Sequence, residues 1–328
     1  MIVVTGGAGF IGSNLVASLE EAGYGPVSVV DRLGHGDKWK NLRRRELDEL
    51  VDPEDTFEFL DQRKQDIEFL FHMGAISATT ETDADLIAET NIRLPQALWD
   101  WCTWNEVPLV YASSAATYGD GTRGFLDDDT PGALARLVPM NAYGWSKHVF
   151  DRWVARQVAE DRPRPPRWVG LKFFNVYGPN EHHKGGMMSH VTRSWPRARD
   201  GEPVTLFRSH HPDYPDGGQM RDFVYVKDCV DVMLWLMEHP EVNGIFNLGT
   251  GRAQTWLDLM GALYDAAGTG LRVEWVDTPE EIRDRYQYFT EAEMARLRAA
   301  GYDRPFRSVE EGVADYVERH LATDDPYR

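Results

Sequence analysis

A glycine-rich segment near the amino terminus constrains the fold of this chain more than any other feature. The segment TGGAGFIG directly follows the apolar residues Ile2–Val4 and directly precedes the helix pattern of Ser13–Ala22. Gly6, Gly9 and Gly12 let the backbone turn sharply, approach a pyrophosphate closely and pack a helix onto a strand. The free amides at the start of that helix also favour phosphate charge. This context predicts a dinucleotide-binding βαβ unit.

Short apolar segments alternate with helix-patterned segments through the first half of the chain. Such a rhythm is typical of βαβ units and a parallel sheet. The predicted strands are Ile2–Val4, Val27–Val30, Ile67–Phe71, Leu109–Tyr111 and Val169–Phe173, with a return to the sheet at Ile245–Leu248. Helices are predicted at Ala84–Cys102 and Tyr143–Glu160, and near Asp228, Thr255, Glu291 and Ser308.

The predicted fold class is α/β, a doubly wound parallel sheet (Rossmann) with a smaller C-terminal substrate-binding lobe. At 328 residues the chain exceeds the usual size of one hydrophobic core, and its sequence becomes loop-rich and polar beyond Asn175. The charged segment Lys38–Lys64 is not assigned to any element. We assign to the dinucleotide-binding domain residues 1–174, with a return at about 222–249, and to the substrate-binding lobe residues 175–221 and 250–328.

Composition excludes several classes of function. A net charge of −18 argues against nucleic acid as a partner, because phosphate backbones are bound through basic surfaces. Neither an apolar run long enough to cross a bilayer nor a basic segment before the first apolar residues is found. We therefore expect no membrane span and no signal peptide, and a cytoplasmic location. Cys102 and Cys229 lack metal-ligand spacing, so we expect two buried thiols and no metal site.

The end of the second predicted strand carries the residues that bear on the choice of cofactor. Asp31 follows the glycines by about twenty residues, where an acidic side chain commonly holds the adenosine ribose of NAD. Arg32 beside it and Lys38 a little further on can neutralise a 2′-phosphate, which is the usual device for accepting NADP. These residues by themselves are therefore compatible with either NAD or NADP.

The spacing of Tyr143 and Lys147 indicates redox chemistry at a hydroxyl group. On a helix these two side chains, four residues apart, share one face. A free phenol is too weak a base at neutral pH, but an adjacent ammonium favours its phenolate, which can then take a hydroxyl proton while hydride leaves carbon. Ser114, just after a predicted strand, is placed to hydrogen-bond the same oxygen. Together these residues predict the oxidation and re-reduction of an alcohol.

Several longer motifs resemble one family, the ADP-L-glycero-D-manno-heptose 6-epimerases, which are extended short-chain dehydrogenase/reductases acting on nucleotide sugars. The resemblance covers nearly the whole chain. The matching segments are YASSAATYG at 111–119, FNVYGP at 174–179, HKG at 183–185 with Met187, RDFVYV at 221–226, GIFNLGTGRA at 244–253, RYQ at 285–287 and LRAAGY at 297–302.

This resemblance implies an enzyme that uses NADP, with NAD less favoured, to invert carbon-6 of ADP-heptose for lipopolysaccharide core. It also implies a homo-oligomer, a homopentamer. The implied cofactor contacts are Phe10, Ile11, Asp31, Arg32, Lys38, Met73, Gly74, Ala75, Ile76, Ser77, Asn91 and Lys147. The implied catalytic residues are Ser114, Tyr143 and Lys184. The implied substrate contacts are Asn175, Val176, Phe207, Arg221 and Tyr286, a set with a cation for a diphosphate and an aromatic face for adenine.

Two departures from the family pattern bear on binding. Family members have a further lysine that helps to hold the cofactor, whereas this chain has Pro53 at that position. The loop Arg208–Gln219 is also longer than the short acidic loop found in family members. The role of Lys184 also has two interpretations. It is either a second acid/base residue or an anchor for the substrate diphosphate.

The same fold supports three other functions. A sugar 4,6-dehydratase needs a carboxylic acid near the catalytic Ser or Thr, whereas Ala115 and Ala116 follow Ser114 here. A UDP-hexose 4-epimerase shares the fold and the tyrosine and is the main alternative. A non-catalytic dinucleotide-binding regulator is the alternative from another class, and the presence of both Tyr143 and Lys147 argues against it.

Overall fold

The computed structural model of the protein describes residues 1–283 and 286–328. Arg285, which belongs to the RYQ motif, lies outside the described residues. The strands, in chain order, are β1 (Ile2–Thr5), β2 (Val27–Val30), β3 (Leu50–Val51), β4 (Phe69–His72), β5 (Leu109–Ser114), β6 (Trp168–Phe173), β7 (Asn175–Tyr177), β8 (Val204–Phe207), β9 (Met220–Arg221), β10 (Phe223–Tyr225), β11 (Gly244–Leu248), β12 (Gln254–Thr255) and β13 (Val273–Val276).

The helices connect and cover these strands. In chain order they are α1 (Phe10–Glu21), α2 (Thr56–Arg63), α3 (Ala84–Ala88), α4 (Leu94–Trp104), α5 (Pro131–Leu134), α6 (Ala142–Ala159), α7 (His190–Arg199), α8 (Val226–Glu238), α9 (Trp256–Ala266), α10 (Glu280–Arg283), α11 (Ala295–Ala299) and α12 (Val309–Tyr316). Shorter 3-10 turns lie at Lys38–Asn41, Pro53–Asp55, Ala115–Tyr118 and His182–Met187, and π turns at Glu89–Arg93 and Val317–Leu321.

A parallel sheet forms the centre of the molecule, with the strand order β11-β6-β5-β4-β1-β2-β3 among the described residues. Its residues alternate between two helix-covered faces. Val4 and Phe71 pack in the cluster that includes α1 and α8, whereas Val3 and Leu70 pack with α4 and α6. Burial on both faces is what parallel sheets require. The predicted doubly wound sheet is confirmed, and its strand order reverses between β1 and β4, where ligands bind in such folds.

A second, smaller set of strands lies beyond β6. Strand β8 pairs in parallel with β13, β7 pairs in parallel with β10, and β9 pairs in antiparallel fashion with β12. Helices α7, α9 and α12 pack over these strands around Val191, Leu263 and Val313, which are fully buried. Partners in each pair are far apart in the chain, so these strands are joined by tertiary contacts rather than by tight turns.

Two segments differ from the simplest interpretation of the sequence. The helix predicted over Ala84–Cys102 is present, but the π turn Glu89–Arg93 interrupts it. Pro95 has no amide hydrogen, so the carbonyl of Asn91 lacks its usual α-helical donor and the preceding turn widens. The unassigned charged segment contains β3, α2 and two 3-10 turns. Its helix α2 buries only Thr56, Phe59 and Leu60, which is too narrow an apolar face to stand out in a charged sequence.

The remaining expectations from composition concern cysteines and membranes. Cys102 and Cys229 are both free and buried, as predicted. Over the described part of the chain, every helix is too short or too polar to cross a bilayer.

Candidate active site

A cleft of about 1080 Å³ opens at the carboxyl ends of the central strands. Residues that follow β1, β4, β5 and β6 line it, among them Gly6, Gly74, Ser114 and Phe174. The cleft spans the point where the strand order reverses and extends to the smaller set of strands at Tyr286. It is therefore a single space that runs from the glycine loop to the predicted substrate residues.

The glycine loop leaves no room for side chains. Gly6 has a φ of +69°, and a Cβ atom there would lie 2.4 Å from the amide nitrogen of Gly74. A Cβ atom on Gly12 would lie 2.2 Å from the carbonyl oxygen of Gly6. Helix α1 begins at Phe10, and its N-cap, Gly9, offers no side-chain acceptor to the first amides. Those amides face the cleft and can bind a pyrophosphate, so a dinucleotide fits this loop.

Asp31 and Lys38 form one unit at the adenosine end of the cleft. One carboxylate oxygen of Asp31 accepts a hydrogen bond from the amide of Ala8 at 2.9 Å, and the other accepts one from Lys38 Nζ at 2.6 Å. Both Asp31 and Lys38 line the cleft, as do Gly9, Phe10, Ile11 and Gly12. The carboxylate is thus fixed against the glycine loop with a cation beside it.

Arg32 lies apart from this unit. Its side chain is 59% exposed and pairs with Glu54 at 2.6 Å and with Asp52 at 3.6 Å. These two acidic residues flank Pro53, the position where the family resemblance expects a lysine. Arg32 therefore has to exchange a protein carboxylate for a cofactor phosphate before it can contribute to binding NADP.

The loop after β4 is held from behind by a buried asparagine. Met73, Gly74, Ala75 and Ser77 line the cleft. Ile76 is not among the residues lining it; its amide donates to Asn91 Oδ1 and its carbonyl accepts from Asn91 Nδ2, both at 2.9 Å. Asn91 is fully buried and also donates to Ser146 Oγ on α6 at 3.0 Å. Asn91 thus joins the cofactor loop to the helix that carries Tyr143.

Helix α6 carries the tyrosine and the lysine of the YxxxK pattern on one face. Asn141 caps it by accepting a hydrogen bond from the amide of Gly144 at 2.8 Å. Both Tyr143 and Lys147 line the cleft. Burial lowers the pKa of the Lys147 ammonium to about 8, while Asp151 acts in the opposite direction. Lys147 is therefore charged in neutral solution and loses its charge in mildly alkaline solution.

The hydroxyl of Tyr143 lies close to Ser114 at the end of β5. Burial raises the pKa of the Tyr143 phenol, a hydrogen bond with Ser114 opposes that rise, and Asp151 adds to it. Ser114 is 9% exposed, and its Oγ also accepts a hydrogen bond from the amide of Ala116 at 3.1 Å. The three residues predicted to handle the hydroxyl group thus meet at one place. Burial favours the neutral phenol of Tyr143 and so opposes the phenolate that the spacing predicts.

Lys184 approaches the cleft from the 3-10 turn His182–Met187. Its Nζ lies 4.8 Å from the ring centroid of Phe10 and 3.9 Å from the carboxylate of Glu181. Burial lowers the pKa of Lys184, and Glu181 partly offsets this change. Lys184 thus lies in the same cleft as Tyr143 but on a different structural element. Its ammonium group releases its proton more easily than that of an exposed lysine.

The predicted substrate residues form two groups. Asn175, Val176 and Tyr286 line the cleft. Arg221 and Phe207 pack around Tyr286 instead: the Arg221 guanidinium lies 5.5 Å from the Tyr286 ring centroid, and the Phe207 ring 6.3 Å from it. Arg221 is buried and donates to the backbone carbonyls of its neighbours in the chain and in space. Arg221 and Phe207 therefore hold the Tyr286 ring at the wall of the cleft.

A model of the NAD dependent epimerase/dehydratase family matches residues 2–249 of this chain. The chain belongs to this family. Two curated relatives are named ADP-L-glycero-D-manno-heptose-6-epimerase. The relative from Nitratidesulfovibrio vulgaris is 49% identical over 330 residues, and that from Fusobacterium nucleatum is 44% identical over 335 residues. Each of these comparisons covers 100% of this chain and 100% of the relative.

Solved structures of the family agree with this assignment. The crystal structure of the ADP-L-glycero-D-manno-heptose-6-epimerase of Helicobacter pylori has a TM-score of 0.78 at 28% identity, over 97% of this chain and 95% of that one. The UDP-glucose 4-epimerase of Thermus thermophilus in complex with NAD has a TM-score of 0.72 at 27% identity, over 95% and 96%. The resemblance and the enzyme class predicted from the motifs are confirmed, as is a nicotinamide dinucleotide as the family cofactor.

Three buried polar residues at this epimerase-family site were missed in the sequence. Asp151 lies two helical turns beyond Tyr143, and that period of eight residues was a signal available in the sequence. His72 accepts or donates a hydrogen bond with Thr5 Oγ1 at 2.7 Å, and burial and Lys147 lower its pKa to about 3. Glu181 is fully buried under Lys184. His72 belongs to no local pattern, because its partner Thr5 is 67 positions away in the chain. The partners of Glu181, which are Lys184, Ser189 and Thr192, are close in the chain but form no recognised motif with it.

Proposed function

We propose that this enzyme converts ADP-D-glycero-D-manno-heptose into ADP-L-glycero-D-manno-heptose by oxidising carbon-6 to a ketone and reducing it from the other face. The observation that carries the proposal is the presence of two separate proton-handling groups in one cleft. Ser114, Tyr143 and Lys147 form one, and Lys184 forms the other. A simple dehydrogenase needs only the first. The names of the full-length relatives, which are 43% to 49% identical, support the choice of sugar.

The first half-reaction uses the residues at the ends of β5 and α6. Tyr143 takes the proton of the carbon-6 hydroxyl, and Ser114 donates a hydrogen bond to the same oxygen as it becomes a carbonyl. Lys147, charged below about pH 8, stabilises the phenolate form of Tyr143. The bound dinucleotide supplies the hydride acceptor and donor. Its nicotinamide would be held beside Tyr143 by the loop Met73–Ser77.

Epimerisation adds a geometric demand. Hydride must return to the opposite face of carbon-6, so the ketone arm has to rotate about the bond that joins carbon-6 to the sugar ring. This rotation moves the ketone oxygen away from Tyr143, and a second proton donor is needed at its new position. The burial of Lys184 and its place across the cleft make it our candidate. The alternative, an anchor for the diphosphate, needs only the charge of Lys184.

NADP is our proposed cofactor. Lys38 supports it, because this cation lines the cleft beside Asp31 and can reach a 2′-phosphate. Arg32 is not among the residues that line the cleft and pairs with Glu54 and Asp52 instead, which weakens the argument from Arg32. We therefore propose that Lys38 carries most of the preference for NADP over NAD in this chain.

A UDP-hexose 4-epimerase is the second candidate, since UDP-glucose 4-epimerases are among the structural neighbours at 27% and 28% identity. The deciding experiment incubates the protein and NADP with ADP-D-glycero-D-manno-heptose and follows the configuration of carbon-6 by NMR. UDP-glucose is tested in parallel. We expect conversion of the ADP-heptose only, and none with Tyr143→Phe. Conversion of UDP-glucose alone would replace the proposed substrate with the alternative.

The proposal extends to the setting of the enzyme. We propose that it supplies activated heptose for lipopolysaccharide core in the cytoplasm, as a homo-oligomer of five subunits. Sedimentation velocity of the purified protein tests the assembly, and a mass other than that of five chains would overturn that part. A lack of heptose in the lipopolysaccharide of a deletion strain tests the pathway.

A further inference from the structure

An oppositely charged pair lies fully buried beneath the proposed catalytic residues. Lys172, on β6, is 1% exposed, and Asp151, on α6, is 0% exposed. Lys172 Nζ donates a hydrogen bond to Asp151 Oδ2 at 2.8 Å. Charges are rarely removed from water to this extent, because each loses its hydration. The two residues take no part in the reaction described above, so the burial of their charges requires another explanation.

The pair is bonded to every element that carries a proposed catalytic residue at this end of the cleft. Asp151 accepts a hydrogen bond from Ser113 Oγ at 2.7 Å, next to Ser114 in β5. Lys172 Nζ donates to Thr117 Oγ1 at 2.6 Å, and Thr117 in turn donates to the carbonyl of Ser114 at 2.8 Å. The helix of Asp151 is the one that carries Tyr143 and Lys147. The pair therefore ties β5, α6 and the Ala115–Tyr118 turn together.

The pair also sets the electrostatic environment of Lys147. Charge from Asp151 raises the pKa of Lys147 and that of Tyr143. The titratable or charged side chains around Lys147 and the pair come from three strands, a turn and a helix: His72 from β4, Tyr111 from β5, Tyr118 from the Ala115–Tyr118 turn, Tyr143, His148 and Asp151 from α6, and Lys172 from β6. Arg152 acts on His148, and Asp129 acts on Tyr111. Burial lowers the pKa of His72 to about 3 and that of His148 to about 4, so both are neutral near pH 7. Asp151 is then the fixed charge that acts on Lys147, and Lys172 is the cation bonded to Asp151.

We propose that Asp151 and Lys172 act as a positioning pair, which holds Ser114 against Tyr143 and balances the charge next to Lys147 so that this lysine stays protonated during turnover. This inference rests on the proposed function, since it assumes that Tyr143 and Lys147 handle the hydroxyl proton. Neither member of the pair touches the substrate. Their effect reaches the reaction through Lys147 and through the hydrogen bonds to Ser113 and Thr117.

The charge balance is tested by removing its two members separately and together. Asp151→Asn leaves Lys172 as an unbalanced cation, so the alkaline limb of turnover moves to lower pH. Lys172→Met leaves Asp151 as an unbalanced anion, so the limb moves to higher pH. Shifts of about one pH unit are expected for a buried neighbouring charge. The double variant restores the balance and returns the limb to its original pH, with lower turnover because the hydrogen bonds are lost.

A second readout does not depend on turnover. Carbon-13 NMR of the full-length protein with NADP, labelled at the lysine ε-carbons, follows the titration of Lys147 directly, and Lys147→Arg identifies its signal. The chain has seven lysines, so the spectrum is simple. The pKa of Lys147 is expected to fall in Asp151→Asn and to rise in Lys172→Met. If the wild-type protein fails to convert ADP-heptose, the proposed function falls while this titration still decides whether the pair controls Lys147.

Other variants guard against misfolding and non-specific effects. If a single-charge variant fails to fold, Ser113→Ala remains, and it should lower turnover without moving the alkaline limb. Glu160→Gln, which removes an exposed pair with Arg162 at the end of α6, is the matched control and should change neither. Shifts of the same sign in Asp151→Asn and Lys172→Met would overturn the proposal, and so would wild-type turnover in Ser113→Ala.

Discussion

Tyr143 and Lys184 face one cleft from supports of different kinds. Tyr143 lies in the first turn of an 18-residue helix that Asn141 caps and that is bonded to other elements through Ser146 and Asp151. Lys184 lies in a six-residue 3-10 turn, next to Gly185 with its φ of 53°, and its charged neighbour is 3.9 Å away. The proposed oxidation site is thus held by bonds to neighbouring elements, whereas the proposed second proton site lies on a short turn. This is the arrangement expected where the substrate ketone has to change position between half-reactions.

The largest effect on turnover is expected from a change at Tyr143. Tyr143→Phe removes the hydroxyl that we propose takes the substrate proton there, so turnover should fall roughly 100- to 10,000-fold. The variant keeps the ring and should melt at nearly the wild-type temperature. Tyr24→Phe, which removes an exposed hydroxyl bonded to Glu238, is the matched control and should retain activity. A folded Tyr143→Phe protein with near wild-type turnover would refute the role of Tyr143.

Lys184→Met tests the other end. If Lys184 donates a proton, kcat should fall roughly 100-fold while KM changes little. If it anchors the diphosphate, KM should rise instead and saturating substrate should restore the rate. Lys184→Arg keeps the charge with a less acidic group, so it should rescue the anchor role and not the proton-donating one. Near-normal turnover of Lys184→Met at saturation would exclude the two-site mechanism.

A smaller effect is expected at the adenosine end. Lys38→Ala should weaken binding of NADP by about tenfold, as expected for loss of a charged hydrogen bond, and leave NAD binding nearly unchanged. Arg32→Ala should cost less, since Arg32 does not line the cleft and pairs with Glu54. Glu54→Gln removes the shorter of the two ion pairs of Arg32 and should strengthen NADP binding. Fluorescence titration of the stripped wild-type protein and the three variants measures their affinities for NADP and NAD, and equal losses for NADP and NAD in Lys38→Ala would contradict the assignment of Lys38.

The smallest effect concerns stability in acid. Burial lowers the pKa of His72, at the end of β4, to about 3, and that of His183, next to Lys184, to about 4. A lowered folded pKa means that the unfolded chain binds more protons, so stability is lost as pH falls from about 6.5 towards 4. The melting temperature should fall by a few degrees between pH 7 and 5. The fall should be shallower in His72→Gln, and an unchanged slope would refute the contribution of His72.

The sequence predicted the parts of the site that depend on local patterns. The glycine loop and the YxxxK spacing each carry their geometry within a few residues, because a βα turn and one helix face suffice to build them. Arg32 shows the opposite case. Its position after the strand suggested a phosphate contact, but Glu54 lies beyond the next strand, and that contact exists only after β2 and β3 pair. Which charged groups become neighbours is decided by such tertiary contacts.

Asn91 and Arg221 illustrate a second limit. The family resemblance assigns them to ligands, which stays a prediction, and in the structure Asn91 is bonded to both sides of Ile76 while the Arg221 guanidinium lies over the Tyr286 ring. A motif records that a residue type is required, but it does not distinguish direct contact from support of a neighbour. The division of the chain into residues 1–174 and the later segments likewise stays a prediction.

The pairing of β8 with β13 has a consequence for recombination between relatives. Val273 lies 69 positions after its partner Val204 in the chain, and β9 pairs with β12 inside that interval. A single crossover within this interval would join strands inherited from different parents, whose facing side chains were never selected together. Chimeric enzymes that exchange sugar specificity should therefore be assembled from whole blocks with both members of each strand pair, and genes broken inside the interval should yield poorly folded products.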